Sequence, residues 1–138
     1  MLRYELSLAV CLGAMIAFPY ASYASESRRP SVVFGVGLIV AAAVYVIFAA
    51  LARDARAVNR ELVGLLVFGL LAGSGLRWSA RLLGFGWLLH VFWDLSFHPI
   101  HVSSYAPWWY PLVCLGFDLF VAGYIFANTR PASSRRDA

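Results

Sequence analysis

Apolar residues run along this chain in long blocks, separated by short clusters of arginine, proline and glycine. The first block covers roughly residues 4–24, softly broken at Pro19, and Glu26, Arg28, Arg29 and Pro30 end it. The second runs from Val32 to Ala52, where Arg53, Asp54 and Arg56 stop it. The third runs from Glu61 to about Leu76 and closes in Gly73-Ser74-Gly75 and Arg77. The fourth runs from about Ala80 to Phe97 and is closed by Pro99. The fifth starts near Pro107, with Trp108, Trp109 and Tyr110 as an interfacial aromatic belt, and ends near Ala127. Such blocks predict transmembrane helices. The third and fourth are short for a span, so four spans, with one of these two re-entrant, stand as the alternative to five. Two arginines and the turn residues of 73–81 favour five, because arginine is costly at mid-membrane. The expected fold is therefore all-α: an integral membrane helical bundle over residues 1–129, followed by a disordered cytoplasmic tail at 130–138.

Composition strengthens the membrane assignment. Of 138 residues, 62% are hydrophobic and 13% charged, with a mean hydropathy of +0.74. Soluble domains carry about 25% charged residues, so this chain cannot cover itself with polar surface and needs the lipid bilayer as a partner. The formal charge of +4 does not point to nucleic acid. All the basic residues are arginines grouped between apolar runs, the pattern of loops facing anionic headgroups. Cys11 and Cys114 lie inside apolar runs and read as small buried hydrophobes. Ser22-Tyr23-Ala24 resembles a signal cleavage site, but the run before it is longer than a usual signal core and Glu5 interrupts its basic end, so it is read as a span.

Five spans put Arg3, Arg53, Arg56 and Arg60 on one side, and Arg28, Arg29, Arg77, Arg81, Arg130, Arg135 and Arg136 on the other. The positive-inside bias then places the N-terminus outside and the C-terminus in the cytoplasm, across a bacterial inner (plasma) membrane. Small residues such as Gly35, Gly37, Gly64, Gly69 and Gly73 permit close helix packing, and Gly69 with Gly73 forms a GxxxG.

The fourth block reads WLLHVFWDLSFHP. His90, Asp94 and His98 are spaced i, i+4, i+8 and share one helix face over about 12 Å. Asp118 stands isolated in the fifth block, with Cys114 one turn before it, and Glu61 opens the third. The helical rise puts Asp118 about 16 Å inward from Pro107 and His90 about 12 Å inward from His98, so the two share a depth. Asp94 lies between them and a mouth formed by Glu61, His98 and His101. Ionisable groups within spans are functional candidates by default. This donor set suits zinc, manganese or iron(II), and it also suits a proton relay. Bland readings stand beside these. His90 and Asp94 can be a structural pair, His98 and His101 plain interfacial residues, Glu61 a helix N-terminal carboxylate, and Trp87, Trp93 and Phe97 packing residues. Ser96 points away from the stripe, and no phosphate loop, nucleophile elbow or HExxH is present.

The run GFGWLLHVFWD with His98 resembles the signature of a family of small bacterial multi-pass membrane proteins grouped as a domain of unknown function. That signature, Gly-x-Gly-Trp-Leu-Leu-His-x-x-Trp-Asp followed by histidine, is matched by Gly84, Gly86, Trp87, Leu88, Leu89, His90, Trp93, Asp94 and His98. Weaker echoes are Glu61, the Gly75-Leu76-Arg77 turn, and Cys114 four residues before Asp118. The resemblance covers roughly residues 61–120. The family has two adjacent histidines after the aspartate, whereas here Phe97 precedes His98. If both histidines matter to that family's site, the resemblance implies an altered site here with His101 as a substitute; it implies no activity.

Together these features lead to a polar site of Glu61, His90, Asp94, His98 and Asp118. The leading expectation is a metal-dependent intramembrane hydrolase of a lipid-like substrate. His90, His98 and a carboxylate such as Asp118 would hold a divalent metal, with Asp94, Asp118 or Glu61 as general base. The alternatives are a proton- or metal-ion-handling transport protein, which at this size favours a homo-oligomer, and a non-enzymatic membrane subunit.

Overall fold

The computed structural model describes residues 2–99 and 105–129. It contains five helices in chain order: α1 Leu2–Glu26, α2 Pro30–Leu51, α3 Ala55–Arg77, α4 Ala80–Phe97 and α5 Tyr110–Asn128. Helices α1, α2, α3 and α5 are long and apolar enough to cross a membrane. Helix α4 is not among them, because Arg81, His90 and Asp94 lower its mean hydropathy over 18 residues. It is nevertheless one unbroken helix, and its inner face is sealed by the bundle: Leu83, Trp87, His90 and Asp94 are all buried. The expected tail at 130–138 and His101 lie outside the described residues.

Three boundaries differ from the pattern of apolar blocks. Helix α3 begins at Ala55, not at Glu61, because the Asp54 carboxylate caps it by accepting from the amides of Arg56 and Ala57, each at 3.0 Å. It also runs through Gly73-Ser74-Gly75 to Arg77, since packing outweighs the low helix propensity of two glycines. Glu61 is therefore almost two turns inside α3, too far from its start to be a dipole-stabilised N-terminal carboxylate. Helix α5 begins at Tyr110, so Trp108 and Trp109 precede it. Pro19 sits inside an α1 that continues to Glu26.

The turn from α2 to α3 is tight. The amide of Asp54 reaches the carbonyl of Ala49 and that of Arg53 the carbonyl of Ala50, the hydrogen-bond pattern of a Schellman cap. Arg53 holds the left-handed position such a cap needs, at φ 56°.

Helix α1 packs along α5, α2 along α3, and α4 joins α5 to α3. Contact between α1 and α2 is thin, so the bundle is open along that seam. The α1–α5 contact brings backbones together. A Cβ on Gly13 would strike the carbonyl of Val113, and one on Gly116 the carbonyl of Val10. In lipid no hydrophobic force draws helices together, so close approach through small residues carries such an interface. Along α1 these are Ala9, Gly13, Ala17 and Ala21, all buried and four residues apart. Gly69 and Gly73, by contrast, have nothing within 4 Å of a built Cβ. That GxxxG faces away from the bundle.

Candidate metal centre

Four-residue spacing on α4 directs His90, Asp94 and His98 to one face, and the bundle closes over all three. Asp118 on α5 is equally buried. The shared depth of His90 and Asp118 is a direct contact: His90 Nδ1 lies 2.7 Å from Asp118 Oδ2. The same nitrogen is 3.8 Å from Asp94 Oδ2, one turn along α4. One ligand atom from each of His90, Asp94 and Asp118 falls within 4.8 Å of the others, a grouping able to hold a metal ion.

These groups are incompletely satisfied. Among the described residues His90 Nε2, both oxygens of Asp94 and Asp118 Oδ1 are buried without a hydrogen-bond partner. Leaving one such group unpaired costs about 1–3 kcal/mol, and more when it is charged. Nitrogen and oxygen donors converging in this way could hold a metal ion, whose charge would satisfy several of them at once.

His98 and Glu61 stand apart from that group. Glu61 is 2% exposed and its carboxylate is well supplied with donors. It accepts from Tyr105 Oη at 2.6 Å, from Trp93 Nε1 at 3.1 Å and from Arg60 Nε at 3.1 Å. Arg60 also donates to the Tyr105 hydroxyl. This network ties α3 and α4 to the segment entering α5. Burial and the adjacent Glu61 carboxylate push the Tyr105 hydroxyl above its ordinary pKa. Gly64 makes room for the Trp93 indole: a Cβ there would come within 2.7 Å of its ring.

His98 ends α4 and is 1% exposed, so it is no surface loop residue despite Pro99 beside it. Its ring stacks on Tyr45 at 4.0 Å and meets Tyr105 edge-on at 5.4 Å. Its Nε2 lies 3.5 Å from Glu61 Oε1, without hydrogen-bond geometry. His98 thus sits in the mouth layer, and Asp94 takes the third place in the centre.

Two participants, Tyr45 and Tyr105, had little or no signal in the sequence, and Trp93, a residue of the matched signature, was read for packing alone. Tyr45 of α2 is fully buried beneath His98, near Asp94 and Cys114; its only mark is a hydroxyl within an apolar run. Tyr105 reaches Glu61 across 44 positions, a pairing no local pattern encodes. Trp93 supplies a polar contact as well as packing. Ser96 is exposed, as the helix period requires. Arg77 is exposed at the opposite end of the bundle, and Arg81 there lies over the Phe126 ring at 5.8 Å.

Residues 5–131 match the model of DUF6010, described as a family of unknown function. The match extends well beyond residues 61–120 and takes in α1 and α2. No curated protein and no solved structure matches the chain.

Proposed function

The chain belongs to the DUF6010 family, and we propose that it is a membrane-embedded, metal-dependent hydrolase acting on a lipid-like substrate. One observation carries this reading: His90, Asp94 and Asp118 converge within 4.8 Å from two helices, with several of their ligand atoms buried and unpaired. Three protein ligands leave a position for water or substrate, as catalytic zinc sites do. A bound divalent cation would polarise a carbonyl and make water acidic enough to act near neutral pH. His90, Asp94 and Asp118 Oδ2 would hold it. Asp118 Oδ1 is the free oxygen suited to the role of general base. For an ester, the water oxygen bonds to the carbonyl carbon while its proton passes to Asp118 Oδ1. The ester C–O bond then breaks and the leaving alkoxide takes that proton, giving an acid and an alcohol. Glu61, with its three donors, positions the mouth in this scheme. The substrate is lipid-like because the helices around the centre are candidate membrane spans.

The test is metal analysis of the purified protein, wild type against His90→Ala and Asp118→Asn, with ester hydrolysis assayed on the same samples. Metal and activity are expected in the wild type and lost in both variants. Folded wild type that carries no metal in any preparation, and takes none up, would sink the proposal.

A second reading, proton or metal-ion transport, has its own observation. Glu61, His98, Tyr45, Asp94, His90 and Asp118 form a string of ionisable groups from mouth to centre. Flux in liposomes that His90→Ala abolishes, without ester hydrolysis, would select it. The arginine bias further supports an inner-membrane orientation with the C-terminus in the cytoplasm. A C-terminal fluorescent-protein fusion that stays dark, while a phosphatase fusion at the same point is active, would reverse that orientation.

A further inference from the structure

The open seam between α1 and α2 leads to the centre. A cavity of about 280 Å³ lies between α1, α2 and α5, with Asp118 and Trp87 among its lining residues. Its rim includes Ile16 and Val40, both about half exposed, and its walls include Val44 and Val113. All three flanking helices are candidate membrane spans, so in a bilayer the rim would open into hydrocarbon. The walls are mostly apolar, and of the polar residues in them, Tyr20, Trp87, Tyr110, Cys114 and Asp118, two carry a buried side-chain atom without a partner. Trp87 is fully buried and its Nε1 has no hydrogen-bond partner among the described residues; Asp118 Oδ1 has none either. One is a donor and the other an acceptor, and both belong to residues lining the same cavity.

We propose that this cavity binds the acyl chain of a single-chain fatty acyl ester, whose carbonyl oxygen accepts from Trp87 Nε1 beside Asp118. The inference rests on the hydrolase reading for its chemistry and names that reaction's substrate. Size selects the occupant. The cavity lies just below the usual range of about 300–1,000 Å³ for ligand clefts, which suits one flexible chain. A helix from a second copy, about 10 Å across, does not fit into it. The unpaired atoms select the chemistry. The indole requires an acceptor, and a donor placed where negative charge develops on a carbonyl oxygen is also the feature that speeds acyl transfer. Asp118 Oδ1 stands ready for the proton of the attacking water.

The probe is the methyl ester of palmitic acid carrying a chain diazirine, photolysed with the protein in phosphatidylcholine vesicles. Labelling is expected at Val40, Val44 and Val113, and is expected to fall as unlabelled methyl palmitate is added. Val44→Trp, which fills the cavity, should cut it by about tenfold or more. Trp87→Phe should weaken binding about fivefold, the loss of one hydrogen bond. Leu70→Trp, on the outer face of α3, should change nothing. Label spread over the outward faces of all helices and insensitive to competitor overturns the proposal. Competition on the wild type needs no variant, so a misfolded Val44→Trp does not blunt the test. Competed groove labelling on wild type that binds no metal overturns the hydrolase reading and supports the binding site. Metal-loaded wild type without competed labelling overturns the binding site alone.

Discussion

His90 Nδ1 and Asp118 Oδ2 meet at 2.7 Å across the α4–α5 interface, with both side chains shut off from the surface. The contact joins α4, which is not among the candidate membrane spans, to α5, which is, and it leaves the second nitrogen of His90 and the second oxygen of Asp118 unpaired. A purely structural pair would need only the atoms that touch. The unpaired remainder, together with Asp94, is what gives the centre its capacity for a ligand.

Asp94 and His98 compete for the third ligand position, and substitution separates them. Asp94→Asn is expected to lower bound metal by about tenfold or more, since a lost ligand costs more than a lost orienting partner. His98→Gln, in the mouth layer, should leave metal content near the wild-type level. Elemental analysis of folded protein decides this, and the reverse pattern would restore His98 as the ligand.

Glu61 anchors the mouth. Glu61→Ala leaves Trp93 Nε1, the Tyr105 hydroxyl and Arg60 Nε without their acceptor. A loss of about 3 kcal/mol is expected from the orphaned donors, read as a lowered thermal midpoint in detergent. Glu61→Gln retains acceptor capacity and should recover part of it. An unchanged midpoint for Glu61→Ala would show that the network contributes nothing to stability.

The glycines divide by position. Gly116→Val pushes a branched side chain against the Val10 carbonyl and should cost about 1–3 kcal/mol by forcing α1 from α5. A Cβ at Gly69 meets no atom within 4 Å, so Gly69→Ala should stay within about 0.5 kcal/mol of wild type. Equal melting shifts for the two would contradict this packing.

Arg53 holds a left-handed conformation that costs a non-glycine residue about 1 kcal/mol or more. Arg53→Gly should therefore raise stability by about 1 kcal/mol, observed as a higher melting temperature. A lower one would mean that the arginine side chain matters more than its backbone strain.

Much of this protein was legible from local pattern. Apolar blocks long enough to span a bilayer must become helices, because hydrocarbon offers no partner to a bare amide or carbonyl. The face shared by His90, Asp94 and His98 follows from the helical period, and the common depth of His90 and Asp118 from the rise per residue. The start of α3 was obscured because Ala55–Arg60 is too polar to extend an apolar block.

The sequence by itself determined the five helices, their approximate extents, and which polar residues would lie buried. These are properties of spacing and hydrophobicity along one chain. Only the tertiary structure decided that Asp94 rather than His98 completes the group with His90 and Asp118, that Tyr105 and Trp93 hold Glu61 at the mouth, and that a seam beside α1 reaches Asp118. Each of these depends on the rotation and closeness of separate helices. The backbone contacts at Gly13 and Gly116 set those quantities between α1 and α5, and no periodicity within one helix records them.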